Sequence, residues 1–425
     1  MAAARPRVAP PAGSWCDDRV MNLVTLADVE DARKLLEGVV RNTPLEPSRP
    51  LTDKLGGRTW LKCENLQRAG SYKVRGAYVR IARLSAGERA RGVVAASAGN
   101  HAQGVALAAG LLGIAATVFM PVGAALPKIA ATKRYGAEVR AAGATLDEAL
   151  KVAQEFADET GAVLIHPFDH ADIIAGQGTV ALEILEQCPD VKTIIAGLGG
   201  GGLISGIAVA AKTLRPDVRV IGVQAAEAAA YPGSLAAGHP VPISRMTTIA
   251  DGIAVGCPGE VTFAHVSELV DEVVTVTDED LSRALLVVLE RGKLVVEPAG
   301  AAGVAALLAG AVPVDTPAVA VLTGGNIDPQ LLLKVLEHGL AAAGRYLWLT
   351  IRCGDRPGQL AHVLTLIGEL GANVVDVAHR RHDPELSLGE VEIDVSVETR
   401  GADHAERLIE ALRADGNRVT EWVNR

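Results

Sequence analysis

A chain of 425 residues with a net charge of −9 and an isoelectric point near 5.6 offers no basic surface to a nucleic acid, and its length implies two or three domains. Apolar residues make up 49% and aromatics only 3%, the profile of buried parallel strands covered by alanine-rich helices. The five cysteines, Cys16, Cys63, Cys188, Cys257 and Cys353, are scattered and contain no C-x-x-C pair, so they indicate neither a disulfide framework nor a zinc site and point to a reducing, cytoplasmic compartment.

Residues 1–20, rich in Ala, Pro and Arg and without an apolar run, read as a disordered tail and not as a signal peptide. Met21 is a second candidate start, because a helical pattern (Leu26, Val29, Ala32, Leu35, Leu36) follows it. The loop 64–77 then carries Gly70 and opens a helix with Lys73 on its first turn. Free N–H groups at a helix start disfavour the ammonium form, so an amine there suits a Schiff base; the plain alternative is a solvated surface lysine.

From about residue 58 to 340, short β-branched runs alternate with amphipathic stretches. Strands are expected at 92–96, 115–120, 138–141, 162–165, 192–196, 218–224, 272–276 and 318–322. The fold class is α/β with a largely parallel sheet, right-handed crossovers and ligands at the carboxyl ends of the strands. Two loops fall at such ends. Ser97-Ala98-Gly99-Asn100 offers a nest the size of a carboxylate, and Gly197-Leu198-Gly199-Gly200-Gly201-Gly202-Leu203 offers one the size of a phosphate. The second also satisfies the dinucleotide fingerprint, but the acidic residue expected about 20 positions on is not cleanly met, since Gln224 stands at the strand end and Glu227 beyond it. A nicotinamide enzyme therefore stays open as a competitor, whereas a Walker loop is excluded because no Gly-Lys-Ser/Thr follows.

Taken alone, Asn100 is a helix cap, Glu297 a helix-start carboxylate and Thr323 part of a turn, Thr323-Gly324-Gly325-Asn326. The apolar runs at 92–126 and 298–322 are interrupted by polar residues and read as buried elements, so no membrane-spanning helix is expected. A connection at 341–345 leads to a unit at 346–425 with strands near 347–353, 372–380, 389–398 and 417–423 and helical stripes at 360–367 and 405–412. That β-α-β-β-α-β order is ferredoxin-like.

The lysine loop, the two N–H loops and Thr323, in this order, resemble the pyridoxal-phosphate enzymes of the tryptophan-synthase-β fold (fold type II), and within them the threonine and serine dehydratases. Asp355-Arg356-Pro357-Gly358-Gln359-Leu360 with Gly371-Ala372-Asn373 resembles an ACT domain. The resemblance implies a two-lobed catalytic domain at 21–340 and an ACT regulatory domain at 346–425. It implies pyridoxal 5'-phosphate bonded to Lys73, its phosphate on Gly199, Gly200, Gly201, Gly202 and Leu203, its ring oxygen near Asn100 and its ring nitrogen facing Thr323. Ser97, Ala98, Gly99 and Asn100 would take the substrate carboxylate, Glu297 would sit near the cofactor, and Lys73, once freed, would act as the base; no residue is assigned to a metal.

The reaction so implied eliminates water from L-threonine and takes it up again in hydrolysis to give 2-oxobutanoate and ammonia, and converts L-serine to pyruvate. Val74 after the lysine matches dehydratases, where threonine and cysteine synthases have aspartate. Ala98 stands where serine racemases place a serine, so racemisation should be poor. The ACT resemblance implies an amino-acid effector and a homodimer or homotetramer. The alternatives are a serine dehydratase or racemase-type enzyme, or a non-catalytic amino-acid sensor.

Overall fold

The computed structural model describes residues 23–342, 344–381 and 386–422; the expected tail at 1–20 and the second start Met21 lie outside the described residues. Strands β1 (Leu45–Pro47) and β2 (Thr59–Lys62) come first. Next, β3 (Val93–Ala96), β4 (Ala116–Met120), β5 (Glu138–Ala141) and β6 (Val163–Leu164) form a parallel sheet of order β5-β4-β3-β6. After it, β7 (Thr193–Gly197), β8 (Arg219–Ala225), β9 (Glu272–Val276) and β10 (Ala318–Val321) join the first two in a sheet of order β1-β2-β10-β7-β8-β9, in which only the β1–β2 pair is antiparallel.

All eight strands expected before residue 340 are present within a residue or so of the sequence reading. Their apolar runs reflect burial on both faces: every residue of β3, β7 and β10 is buried. The sequence reading missed β1 and β2. In β2, Thr59 and Lys62 are fully buried beside Leu61, so the strand has no polar face to alternate with its apolar one.

Three helices begin at the loops singled out above: Lys73–Ala82, Asn100–Leu112 and Gly202–Leu214. The long helix Ala171–Gln187 lies between two of them, and glycines let the backbones touch. A Cβ at Gly206 would sit 2.3 Å from the Ile174 carbonyl oxygen, and one at Gly176 would sit 2.7 Å from the Gly76 Cα. Gly104 admits Lys73 in the same way, its added Cβ meeting the Lys73 carbonyl carbon at 3.1 Å. Small residues thus fix the lysine helix and the glycine-loop helix against one common support.

The helix Pro329–Ala342 follows β10 and leads to the last sheet, where β11 (Tyr346–Gly354), β12 (Asn373–Arg380), β13 (Glu390–Glu398) and β14 (Arg418–Trp422) run antiparallel in the order β12-β13-β11-β14. With the helices Gln359–Glu369 and Ala402–Ala414 this is the expected ferredoxin-like unit. The stretch read as a connection, 341–345, still holds the end of the helix, which runs through Ala342. Arg345 closes the junction, accepting from Thr399 N at 3.0 Å and pairing with Glu290 at 3.3 Å. Among the described residues no helix is long and apolar enough to cross a membrane.

Candidate active site

The lysine loop reaches its helix through two short 3-10 turns, Glu64–Leu66 and Arg68–Gly70, with Ala69 and Gly70 at positive φ. This double reversal brings the loop against the end of β10. Tyr72 N donates to Thr323 O at 3.3 Å, and Gly325 N donates to Gly70 O at 2.9 Å. Lys73 Nζ donates to the Pro167 carbonyl at 2.9 Å. Burial lowers this amine from its ordinary value to about 8, with the Glu297 carboxylate pulling the other way. The sequence reading credited the helix start, but loss of water is the larger cause. Since only the neutral amine attacks a carbonyl, capture of pyridoxal phosphate by cofactor-stripped protein is expected to accelerate with rising pH around a midpoint near 8, as read by absorbance stopped flow. A midpoint above 10 would mean an ordinary solvated lysine.

Asn100 is oriented at both ends of its amide. Its Nδ2 donates to Glu297 Oε1 at 2.5 Å, and its Oδ1 accepts from Asn326 Nδ2 at 2.8 Å; Asn326 in turn donates to Ala69 O at 2.8 Å. Gly324 leaves room for this, because a Cβ there would lie 2.4 Å from Glu297 Oε1 and 2.9 Å from Asn100 Nδ2. Burial raises the Glu297 carboxyl to about 7; Asp251 adds to the rise, while the Asn100 hydrogen bond and the Lys128 and Lys73 amines oppose it. Thr323 is buried, with its hydroxyl 3.5 Å from the Ala299 carbonyl. Gly99 N donates to Ser97 Oγ at 3.1 Å, which shapes the turn that Ala98 shares. His101 is buried with Nε2 2.7 Å from the Ile165 carbonyl oxygen, and burial pushes it down to about 3, so its ring is neutral.

The glycine loop is walled by two aromatics that sequence reading passed over. A Cβ at Gly200 would lie 2.3 Å from the Phe168 ring, and one at Gly201, where φ is +99°, would lie 2.2 Å from Tyr231 Oη. Tyr231 Oη also donates to Gly200 O at 3.2 Å. Gly199 abuts Ile253, and Leu203 is buried on the first turn of its helix. The N–H groups at that helix start have no acceptor within the helix. Pro167 and Phe168 together link the loop to Lys73, and the scarcity of aromatics in this chain was the available signal for Phe168 and Tyr231. Asn326 stood in the quoted turn but was read only as its end.

Beside Glu297 lies a cavity of about 310 Å³ lined by Lys128, Asp251, Asn326, Gln330 and Lys334. Lys128 and Asp251 pair across it at 2.9 Å. Among the described residues no set of three or more His, Cys, Asp or Glu is arranged to hold a metal.

Residues 36–324 match the family described as pyridoxal-phosphate dependent enzyme, and residues 348–417 match the ACT domain. The chain belongs to the pyridoxal-phosphate-dependent enzyme family. As a member of that family with a C-terminal ACT domain, it is 45% identical over 397 residues to an L-threonine ammonia-lyase of Thermotoga maritima, covering 93% of this chain and 99% of the relative. Two solved structures are similar to its catalytic part. Maize serine racemase is 36% identical with a TM-score of 0.71, covering 76% of this chain and 99% of that one. The processed form of threonine deaminase isoform 2 from Solanum lycopersicum is 36% identical with a TM-score of 0.69, covering 78% and 98%. The nicotinamide alternative is thereby set aside.

The cofactor of this pyridoxal-phosphate enzyme fits the residues present. The glycine loop is packed so closely on Phe168, Tyr231 and Ile253 that none of its four successive glycines has room for a side chain, which leaves a bare backbone to meet a phosphate. On the loop that carries Lys73, the buried Ser71 hydroxyl and Asn65 side-chain oxygen have no hydrogen-bond partner among the described residues, so polar capacity remains for a bound group.

Proposed function

We propose that this chain is an L-threonine ammonia-lyase, converting L-threonine to 2-oxobutanoate and ammonia and L-serine to pyruvate. The observation that carries the reading is the half-buried Lys73 amine, lowered to about 8 and hydrogen-bonded to the carbonyl of Pro167, whose neighbour Phe168 packs against the glycine loop, while Gly104 of the Asn100 helix packs against the Lys73 backbone. Pyridoxal phosphate, when bound, supplies an electron sink conjugated to the substrate nitrogen. Gly199, Gly200, Gly201, Gly202 and Leu203 would hold its phosphate through backbone N–H groups. Ser97, Ala98, Gly99 and Asn100 bind the substrate carboxylate and so orient the α-hydrogen. Lys73 Nζ takes that proton, and its lowered affinity keeps the amine able to accept it near neutral pH.

The Thr323 hydroxyl would serve the pyridine nitrogen as a neutral partner; such a partner would not hold that nitrogen protonated, which would favour loss of the β-hydroxyl over transamination. Glu297, held by Asn100 and raised to about 7, is only partly ionised near neutral pH, which reduces the negative charge beside the site. Ala98 has no proton to deliver to the other face of the α-carbon, which favours elimination over racemisation. The ACT domain binds an amino-acid effector, the assembly is a homodimer or homotetramer, and the enzyme works in the cytoplasm.

The test is a visible spectrum of the purified protein before and after L-threonine, with 2-oxobutanoate measured in the same cuvette. A cofactor band that shifts while the oxo acid accumulates is the expected outcome. A shift without product would sink the catalytic reading in favour of a sensor.

A further inference from the structure

Two residues beyond Lys73, Arg75 enters a group of four charged side chains closed off from water. Lys62, Glu64 and Arg75 are fully buried, and Glu183 is 9% exposed. Each donor has a partner. Arg75 Nε and Nη2 grip the two oxygens of Glu64, both at 2.8 Å, and Nη1 donates to Glu183 at 2.7 Å and Thr179 at 3.1 Å; Nη2 also reaches Arg41 O at 3.4 Å. Lys62 Nζ donates to Glu183 at 2.6 Å, Thr43 O at 2.7 Å and Gln187 at 2.9 Å. Thr43 completes the set by donating its hydroxyl to Glu64 at 2.6 Å. Two cations face two anions, so the group is neutral as a whole.

Such a cluster is a poor means of holding a fold together, because the desolvation of four ions roughly cancels their attraction and apolar side chains of similar volume would serve as well. What it supplies is a single geometry. The guanidinium is a rigid planar fork, and it can satisfy both carboxylates in only one rotation of the helical turn that carries it. The segments it ties are those on either side of the Lys73 amine. One is the loop and first turn bearing Lys73. The other is the helix Ala171–Gln187, which starts four residues after Pro167, the residue whose carbonyl accepts from Lys73 Nζ.

We propose that Lys62, Glu64, Arg75 and Glu183 are positioning residues for Lys73: the buried cluster sets the rotation of the first helical turn so that Nζ meets the cleft. This rests on Lys73 being the residue that bonds the cofactor. The cluster touches neither substrate nor cofactor and acts through the backbone of that turn.

The test uses the full-length chain stripped of cofactor and measures the rate at which added pyridoxal phosphate becomes fixed to Lys73 by borohydride reduction, read by peptide mass, beside the melting temperature of each variant. Arg75→Lys keeps the charge and loses the fork. Lys62→Met with Glu183→Gln removes one cation and one anion, and with them the Lys62–Glu183 and Arg75–Glu183 ion pairs, while leaving Arg75 on Glu64. Both are expected to slow fixation roughly tenfold to a hundredfold per folded molecule, and the double variant is expected to do so with little change in melting temperature. Wild-type fixation rates in either variant, whatever its melting temperature, would overturn the proposal; if Arg75→Lys does not fold, the double variant decides. Absence of fixation at Lys73 in the parent protein would instead overturn the reading of Lys73 itself, and the proposal with it.

Discussion

Lys73→Ala lowers 2-oxobutanoate formation from L-threonine by at least about 10⁴-fold, the scale set by losing an anchored nucleophile and a positioned base in one change. The loss has two sources that can be separated. The glycine cradle and the Asn100–Glu297 pair are untouched, so the variant should still retain pyridoxal phosphate, but without a bond that borohydride can fix. Adding a small primary amine should restore some turnover by replacing the missing base, though not the tether. The assay is oxo-acid formation at saturating threonine, with circular dichroism to show that the protein is folded. Activity within tenfold of the parent would end the assignment of Lys73.

Gly206→Ala acts on stability. Its Cβ would meet three backbone atoms of the neighbouring helix, Ile174 O at 2.3 Å, Gly178 N at 2.4 Å and Gly178 Cα at 2.8 Å, and none of these can swing aside. The helices Ala171–Gln187 and Gly202–Leu214 must separate, at a cost of about 3 kcal/mol. For a domain of this size that is a fall of roughly 5–10 °C in melting temperature, measured by calorimetry or circular dichroism. The control is Gly233→Ala, a glycine within the helix Ala230–Ala237 with nothing within 4 Å of the added carbon, where the same substitution should be neutral or slightly stabilising. Equal melting temperatures for the two variants would mean that the helix contact is not tight.

Much of this architecture was readable before any coordinates. Strands 138–141 and 272–276 fall on the residues expected, because alternating β-branched and helical periods leave little choice of boundary. The ferredoxin-like unit was equally plain, since its strands keep one apolar face, as in Val391, Ile393, Val395 and Val397. Lys73 was singled out from local chemistry and Asn100, Glu297 and Thr323 through the family resemblance; in the structure Asn100 bonds to Glu297, and Thr323 accepts from the residue before Lys73. What stayed hidden depends on distance in the sequence. The Pro167 carbonyl that faces Lys73 is 94 residues away and belongs to a backbone any residue could supply. Phe168 and Tyr231 look like ordinary core aromatics until the glycine loop is placed against them. Lys62 and Arg75 were given no role, because burial of a charge can be recognised only when its partner is known.

The helix Pro329–Ala342 starts three residues after Asn326, which donates to the Asn100 amide, and ends four residues before the first ACT strand. Its 14 residues span about 21 Å, and each residue turns the path by about 100°. The number of residues in this one helix therefore sets the facing of the ACT sheet relative to the catalytic lobes. Removing a single residue would rotate that sheet through more than a quarter circle, whereas removing seven, about two full turns, would bring it back almost to its original bearing, only closer by about 10 Å.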